Sequence, residues 1–279
     1  MPAGRRPEIG LVLSGGGARA VAHVGVIKIL EREGFPVDLV TGTSMGALLG
    51  ALYAAETPFA TLDAFARSMQ ISSGVDLSAL SVLRLILSDR LLSTKKIETL
   101  VNQYIGDTTF DALKKPFACV AMDIKTGERI VFRSGPVAPA VRASVNVPGL
   151  FEPVLYRHRL LVDGGVVDYV PAKLAGEMGA DWVLASVTEG DFTRSTLPNV
   201  LMTLEQVIDI GGSLLVKEAL QYANFVITPK VGDMRNYEFG RAHGTVDLGI
   251  QAANASIEPA KRNLLRFSMP FLMKKWSAR

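Results

Sequence analysis

The sequence predicts an α/β protein, a three-layer α/β/α sandwich around a mainly parallel sheet, and three observations point there. Short apolar, β-prone runs alternate with helical segments along the 279 residues. The hydrophobic fraction of 48% and the mean hydropathy of +0.26 are generous, as expected when a sheet is buried on both faces. The third is a short apolar strand, Asp38–Thr41, that turns into a small-residue helix, Met45–Ala55, almost without a loop. A corner that tight strains the residue at its apex, Ser44, and Gly42 and Gly46 flank it because a Cβ at either would crowd the turn. The hydroxyl is lifted above the carboxyl ends of the strands, at a helix N-terminus whose free N–H groups favour negative charge. GxSxG in this setting reads as a nucleophile elbow.

Ahead of the elbow, Ile9–Leu13 reads as the first strand and Ala18–Glu33 as a largely buried helix closed by Gly34, with Gly15, Gly16 and Gly17 between them. A glycine triplet there presents consecutive backbone N–H groups to whatever sits above the sheet. One use is a dinucleotide fingerprint, since Gly15, Gly17 and Ala20 fit GxGxxA. The acid that should follow at the end of the second strand is Asp38, which stands at the start of one. The other use is an oxyanion hole, and an elbow serine on the next strand favours it.

Behind the elbow, residues 57–96 contain the leucine-rich stretch Leu77–Leu92, which reads either as a core helix or as a lid or acyl-chain wall over the serine. Phe117–Met122 and Ile130–Phe132 form a strand pair around Lys125, Thr126 and Gly127, and Val137–Val145 is a helix stopped by Pro148. Arg159–Val162 is a short strand with Asp163, Gly164 and Gly165 just past its end. Were all these strands parallel, the glycine triplet, Ser44 and Asp163 would emerge at one end of the sheet. A helix at Pro171–Met178, a strand at Trp182–Val187, a helix near Asn199–Leu220 and a strand at Phe225–Thr228 continue the alternation.

Composition narrows the function classes. A net charge of +3 and a pI of about 9.0 are too mild and too dispersed for a nucleic-acid partner. Cys119 is the only cysteine, so no intrachain disulfide and no cysteine-rich metal site is expected. No apolar run approaches a membrane span, and Ile9–Leu13 is too short for a signal-peptide core. The expectation is one domain over residues 1–279 that begins near Met1 and stays in the cytoplasm.

The run LVLSGGGARAVAHVGVIKIL followed by GTSMGALLGALYA resembles the start of a patatin-like phospholipase, whose signatures are GGGxR, GxSxG and a later DGG or DGA. All three occur in order, at Gly15 to Arg19, Gly42 to Gly46 and Asp163 to Gly165, and the similarity covers most of residues 8–190. Ala20 stands where many members place another glycine. The resemblance implies Ser44 as nucleophile, Asp163 as its base, the glycine triplet as oxyanion hole, a lipid ester substrate and no cofactor or metal.

Residue chemistry alone favours a histidine base, because a carboxylate is poorly matched to a serine hydroxyl. Of the three histidines, His23 reads as packed in the first helix and His158 as exposed in a hairpin-like turn. His243 alone follows both Ser44 and an acid in the α/β-hydrolase order and keeps a Ser-His-Asp triad open. A catalytically silent binder of lipid or nucleotide is the other alternative. Arg19 reads as a loop brace, a phosphate contact or an exposed helix-start charge. Finally, the tail 261–279 alternates Lys261, Arg262, Arg266, Lys274, Lys275 and Arg279 with bulky apolar residues and has no acid. That pattern suits peripheral contact at the inner membrane face, with Pro270 arguing against one continuous helix.

Overall fold

The computed structural model describes residues 6–71, 94–191 and 200–277, so the leucine-rich stretch 77–92 lies outside the described residues. Strands β1 (Ile9–Leu13), β2 (Leu39–Thr43), β3 (Phe117–Asp123), β4 (Arg129–Phe132), β5 (Val154–Tyr156), β6 (Arg159–Asp163), β7 (Trp182–Ser186) and β8 (Phe225–Ile227) form one sheet. Hydrogen bonding runs β5-β6-β3-β2-β1-β7-β8, with β4 also on β3.

Alternation along the central strands makes the three layers. Ile9, Leu11 and Leu13 of β1 and Trp182 and Leu184 of β7 face a core shared with α1 (Ala22–Arg32), α2 (Met45–Ala54), α3 (Phe59–Ile71), α4 (Lys95–Ile105) and α5 (Val137–Ser144). Val12, Val183 and Ala185 face the other way, onto α6 (Ala172–Glu177) and α7 (Val200–Ala219). Every residue of β1, β2, β3 and β7 is buried, which is why β1, β3 and β7 read as nearly continuous apolar runs instead of alternating ones. All of α2 is buried too, and its alanines and glycines let it lie close to the sheet.

The sheet is not parallel throughout. β1, β2, β3, β7 and β8 run together, but β4 and β6 are antiparallel to β3. Val120 pairs with Thr43 of β2 on one side and Val131 of β4 on the other, while Ala121 pairs with Ile130 of β4 and Asp163 of β6. Thus β4 holds one side of β3, and β6 takes over the other side where β2 stops. β2 and β6 approach head to head, and the turn after each meets at the level of Ala121. Asp163 reaches Ser44 from the opposite direction to that expected of a parallel strand.

The last helix, α8 (Gly244–Ser277), runs through both Pro259 and Pro270. At Pro259 the loss of one N–H is tolerated because tertiary packing from Ile257 and Ala260 holds the helix there, while Pro270 is exposed. Gly25 of α1 and Gly249 of α8 bring the two backbones together: a Cβ on Gly25 would strike the Val246 carbonyl, and one on Gly249 the Ala22 carbonyl. Arg32 bonds Asn254 at 2.8 Å, Lys261 bonds Glu33 at 2.8 Å, and Trp182 Nε1 donates to Asn263 at 2.9 Å. The helix therefore descends beside α1, and the tail begins at the amino ends of the strands, away from Ser44.

Candidate active site

Ser44 sits between β2 and α2 with φ 56° and ψ −127°, a conformation that glycine adopts freely and an L-residue only under strain. The flanking glycines explain how the corner closes. A Cβ on Gly42 would collide with the Gly46 carbonyl, and one on Gly46 with the carbonyls of Leu13 and Ser14. The corner is pinned by Ser144, whose Oγ accepts from the Ser44 amide at 2.9 Å and donates to the Val120 carbonyl at 2.7 Å.

The Ser44 hydroxyl donates to Asp163 Oδ2 at 2.6 Å, and the Gly165 amide donates to Asp163 Oδ1 at 2.7 Å. Gly164 has no room for a side chain, since a Cβ there would meet the Val120 carbonyl. Burial pushes the Asp163 carboxyl up to about 6, with the bonds from Ser44 and Gly165 offsetting part of the rise. Its backbone N–H donates to the Asn146 carbonyl at 2.9 Å. The Asn146 side chain donates to the Glu152 carbonyl at 2.9 Å and accepts from Thr94 Oγ1 at 2.9 Å.

The glycine loop lies beside this pair. The Gly15 amide is already used, donating to the Tyr169 carbonyl at 3.0 Å. The Gly15 carbonyl accepts from Ser14 Oγ at 2.9 Å and Thr188 Oγ1 at 3.1 Å. Gly16 and Gly17 adopt φ 135° and 52°, and their amides donate no hydrogen bond among the described residues. Of the three glycine amides, those of Gly16 and Gly17 are the uncommitted ones among the described residues. His23 braces the loop from beneath. Burial lowers its pKa to about 4, so the ring is neutral. With the proton on Nε2, it donates to the Ser14 carbonyl at 3.1 Å and its Nδ1 accepts from Ser186 Oγ at 2.8 Å.

Arg19 is not an exposed helix-start charge. It is 2% exposed and its Nη2 bonds Asp209 Oδ1 of α7 at 2.6 Å, while its amide donates to the Gly16 carbonyl at 3.0 Å. A buried guanidinium committed to a buried carboxylate fixes the loop and does not reach out to a phosphate. His243 is also accounted for: its Nε2 lies 3.2 Å from Asp63 Oδ1 of α3, and neither Ser44 nor Asp163 bonds a histidine. His158 is exposed in the β5–β6 turn. Among the described residues, no group of three or more His, Cys, Asp or Glu side chains is arranged to hold a metal ion.

The sequence profile described as patatin-like phospholipase matches residues 11–175, which include Ser44 and Asp163. The chain belongs to the patatin-like phospholipase family. This patatin-like chain is 34% identical over 201 residues to an uncharacterised NTE family protein of Mycobacterium tuberculosis, covering 70% of itself and 53% of that protein. A second such protein of the same organism is 31% identical, with 93% of the present chain and 48% of the relative covered. The chain thus spans about half the length of these relatives. Among solved structures, the heterodimeric ExoU-SpcU complex of the Pseudomonas aeruginosa type III secretion system matches with a TM-score of 0.52 at 17% identity. That match covers 94% of this chain and 52% of the other, and it is a likeness of fold.

Ser144, Asn146, Tyr169, Thr188 and Asp209 support this site, and none stood out in the sequence. Asn146 carried the one legible signal, an amide between Val145 and Val147 in an otherwise apolar stretch. The others depend on partners far away along the chain.

Proposed function

We propose that this patatin-like protein is a serine acyl hydrolase acting on lipid esters, of the phospholipase A, lysophospholipase or esterase type. The observation that carries the reading is the 2.6 Å bond from the strained Ser44 hydroxyl to Asp163, a carboxyl whose burial brings it closer to a useful base. Asp163 takes the hydroxyl proton as the Ser44 oxygen attacks the ester carbonyl. The amides of Gly16 and Gly17 stabilise the oxyanion, and the alcohol leaves with the proton from Asp163. Water, giving its proton to the same carboxylate, then attacks the acyl-enzyme, and that proton passes to the Ser44 oxygen as the acyl bond breaks and the fatty acid leaves. No step needs a cofactor.

The test is covalent. A fluorophosphonate should label the protein with loss of short-chain ester hydrolysis, and the adduct should map to the peptide bearing Ser44. A label on any other residue, or an inactivated enzyme with Ser44 unmodified, overturns the reading.

The loop gives a second expected outcome. A side chain at Gly16 would meet Thr188 Oγ1 at 2.7 Å and Tyr169 Oη at 3.1 Å, at a φ that suits glycine. Gly16→Val should therefore displace the amides and lower kcat about a hundred- to a thousand-fold with little change in KM, because the lost bonds form fully only in the transition state. A rise in KM at constant kcat would make the loop a ground-state binding surface instead.

A further inference from the structure

The tips of the β3–β4 and β5–β6 hairpins stand side by side beyond the carboxyl ends of the parallel strands. β3 passes the level of Ser44 and ends at Asp123, and the Ile124 amide continues the ladder by donating to the Leu160 carbonyl at 2.9 Å. From Arg159 at the second tip, β6 leads directly to Asp163, four residues or about 13 Å along an extended strand. The tips thus rise next to the serine, whereas the basic tail begins at the opposite end of the sheet.

Their composition is unusual for hairpin ends. Leu155 is 72% exposed and Ile124 44% exposed, beside exposed Lys125 and Arg157. Arg159 pairs with Glu128 at 2.5 Å and Asp123 at 3.2 Å, so the two carboxylates here are already matched. Among the described residues, neither Lys125 nor Arg157 forms an ion pair with a carboxylate. The Arg157 guanidinium lies 5.4 Å from the ring centre of Tyr156, and that ring packs edge-on against Phe132 at 5.2 Å.

The turn itself is the second observation. Arg157 and His158 occupy the two central positions of a two-residue hairpin loop with φ 45° and 69°. A loop with both residues left-handed favours Asn-Gly or Gly-Gly. This chain holds an arginine and a histidine there against conformational preference, which points to a use for the side chains.

We propose that the paired hairpin tips are the surface by which the enzyme docks on lipid carrying anionic headgroups. Leu155 and Ile124 enter the headgroup boundary, Arg157 and Lys125 meet the negative charge, and Tyr156 supports the arginine at the interface. Docking in this orientation turns the Ser44 end of the sheet towards the lipid. The proposal rests on the lipid-ester reading above, but its test does not use turnover.

The experiment is cosedimentation with phosphatidylcholine vesicles, with and without phosphatidylglycerol, using Ser44→Ala protein so that the vesicles stay intact. Arg157→Asn combined with His158→Gly installs the residues the turn prefers, so the hairpin should be at least as stable while losing its cation. This variant should bind phosphatidylglycerol vesicles about fivefold more weakly, the loss of one interfacial cation. Adding Leu155→Ser should weaken binding about a further tenfold by removing the apolar anchor. Raising the salt should weaken the parent protein more than the variant. In an otherwise wild-type chain, the Asn-Gly variant should hydrolyse a water-soluble short-chain ester normally. Arg262→Gln with Arg266→Gln, in the tail, should leave vesicle binding unchanged. Equal binding by parent and hairpin variants, or a loss confined to the tail variant, overturns the proposal. Absence of ester hydrolysis with intact hairpin-dependent binding would instead remove the enzymatic reading and leave this surface standing.

Discussion

Asp163→Asn is expected to lower short-chain ester turnover by about three orders of magnitude, within the range for loss of a general base, while His243→Ala stays near wild type. An asparagine keeps an oxygen for the Gly165 amide and places an NH2 towards Ser44, so the geometry survives and the base does not. His243 is spent on Asp63 at 3.2 Å, and its removal touches neither Ser44 nor Asp163. The reverse pattern would restore a histidine triad. The wild-type rate should also fall as pH drops through about 6, where Asp163 takes up its proton.

The same substitution should stabilise the fold at alkaline pH. Burial places the folded carboxyl near 6, against an ordinary value of 3.8. Below about 4 the group is neutral in both states and costs nothing. As pH rises through the window from about 4 to 6 the unfolded chain ionises first, so wild-type stability falls. Above 6 the full cost of a buried charge is present, on the order of 3 kcal/mol. Asparagine carries no such cost. Thermal melts should therefore show Asp163→Asn above wild type at pH 8, with the gap closing as pH falls towards 4. A variant less stable than wild type at pH 8 would mean that the site does not hold this charge at an energetic cost.

The parts of this site that were legible in the sequence are those built from local contacts. GxSxG announces the corner because the clash that forbids a side chain at Gly42 comes from Gly46, four residues on. His23 could be assigned to packing because its helix is apolar nearly all round. Asp163 stands out by its motif, but the condition that its strand runs parallel is not met, since β6 is antiparallel to β3; strand direction is set by register with β3 and leaves no mark on five residues of sequence. Gly15 belonged to the predicted oxyanion triplet, yet its amide goes to Tyr169. Arg19 reads in the sequence as a loop brace, a phosphate contact or an exposed charge, and nothing local chooses among them because Asp209, the partner that buries it, lies 190 residues away. Pro270 reads as a helix end because proline disfavours a helix interior, yet the helix runs on to Ser277.

Replacing Ser44 separates chemistry from strain. Both Ser44→Ala and Ser44→Gly should lose ester turnover by about four orders of magnitude or more and lose fluorophosphonate labelling, because either removes the attacking oxygen. Retained labelling in either variant would end Ser44's candidacy. Both variants also leave Asp163 Oδ2 without its donor, a penalty they share. They differ in the backbone. At φ 56° and ψ −127° alanine keeps the clash between Cβ and main chain, whereas glycine relieves it. The corner cannot relax by itself, because the Ser144 bridge to the Val120 carbonyl and the close approach of Gly46 to Leu13 and Ser14 hold it in place. Ser44→Gly should accordingly be more stable than Ser44→Ala by about 1–2 kcal/mol. That ordering reverses the usual cost of glycine, and denaturant melts of the two inactive proteins measure it directly. An alanine variant as stable as the glycine one would mean that the serine is not held under strain, and that its exposure to an incoming ester comes from the strand end alone.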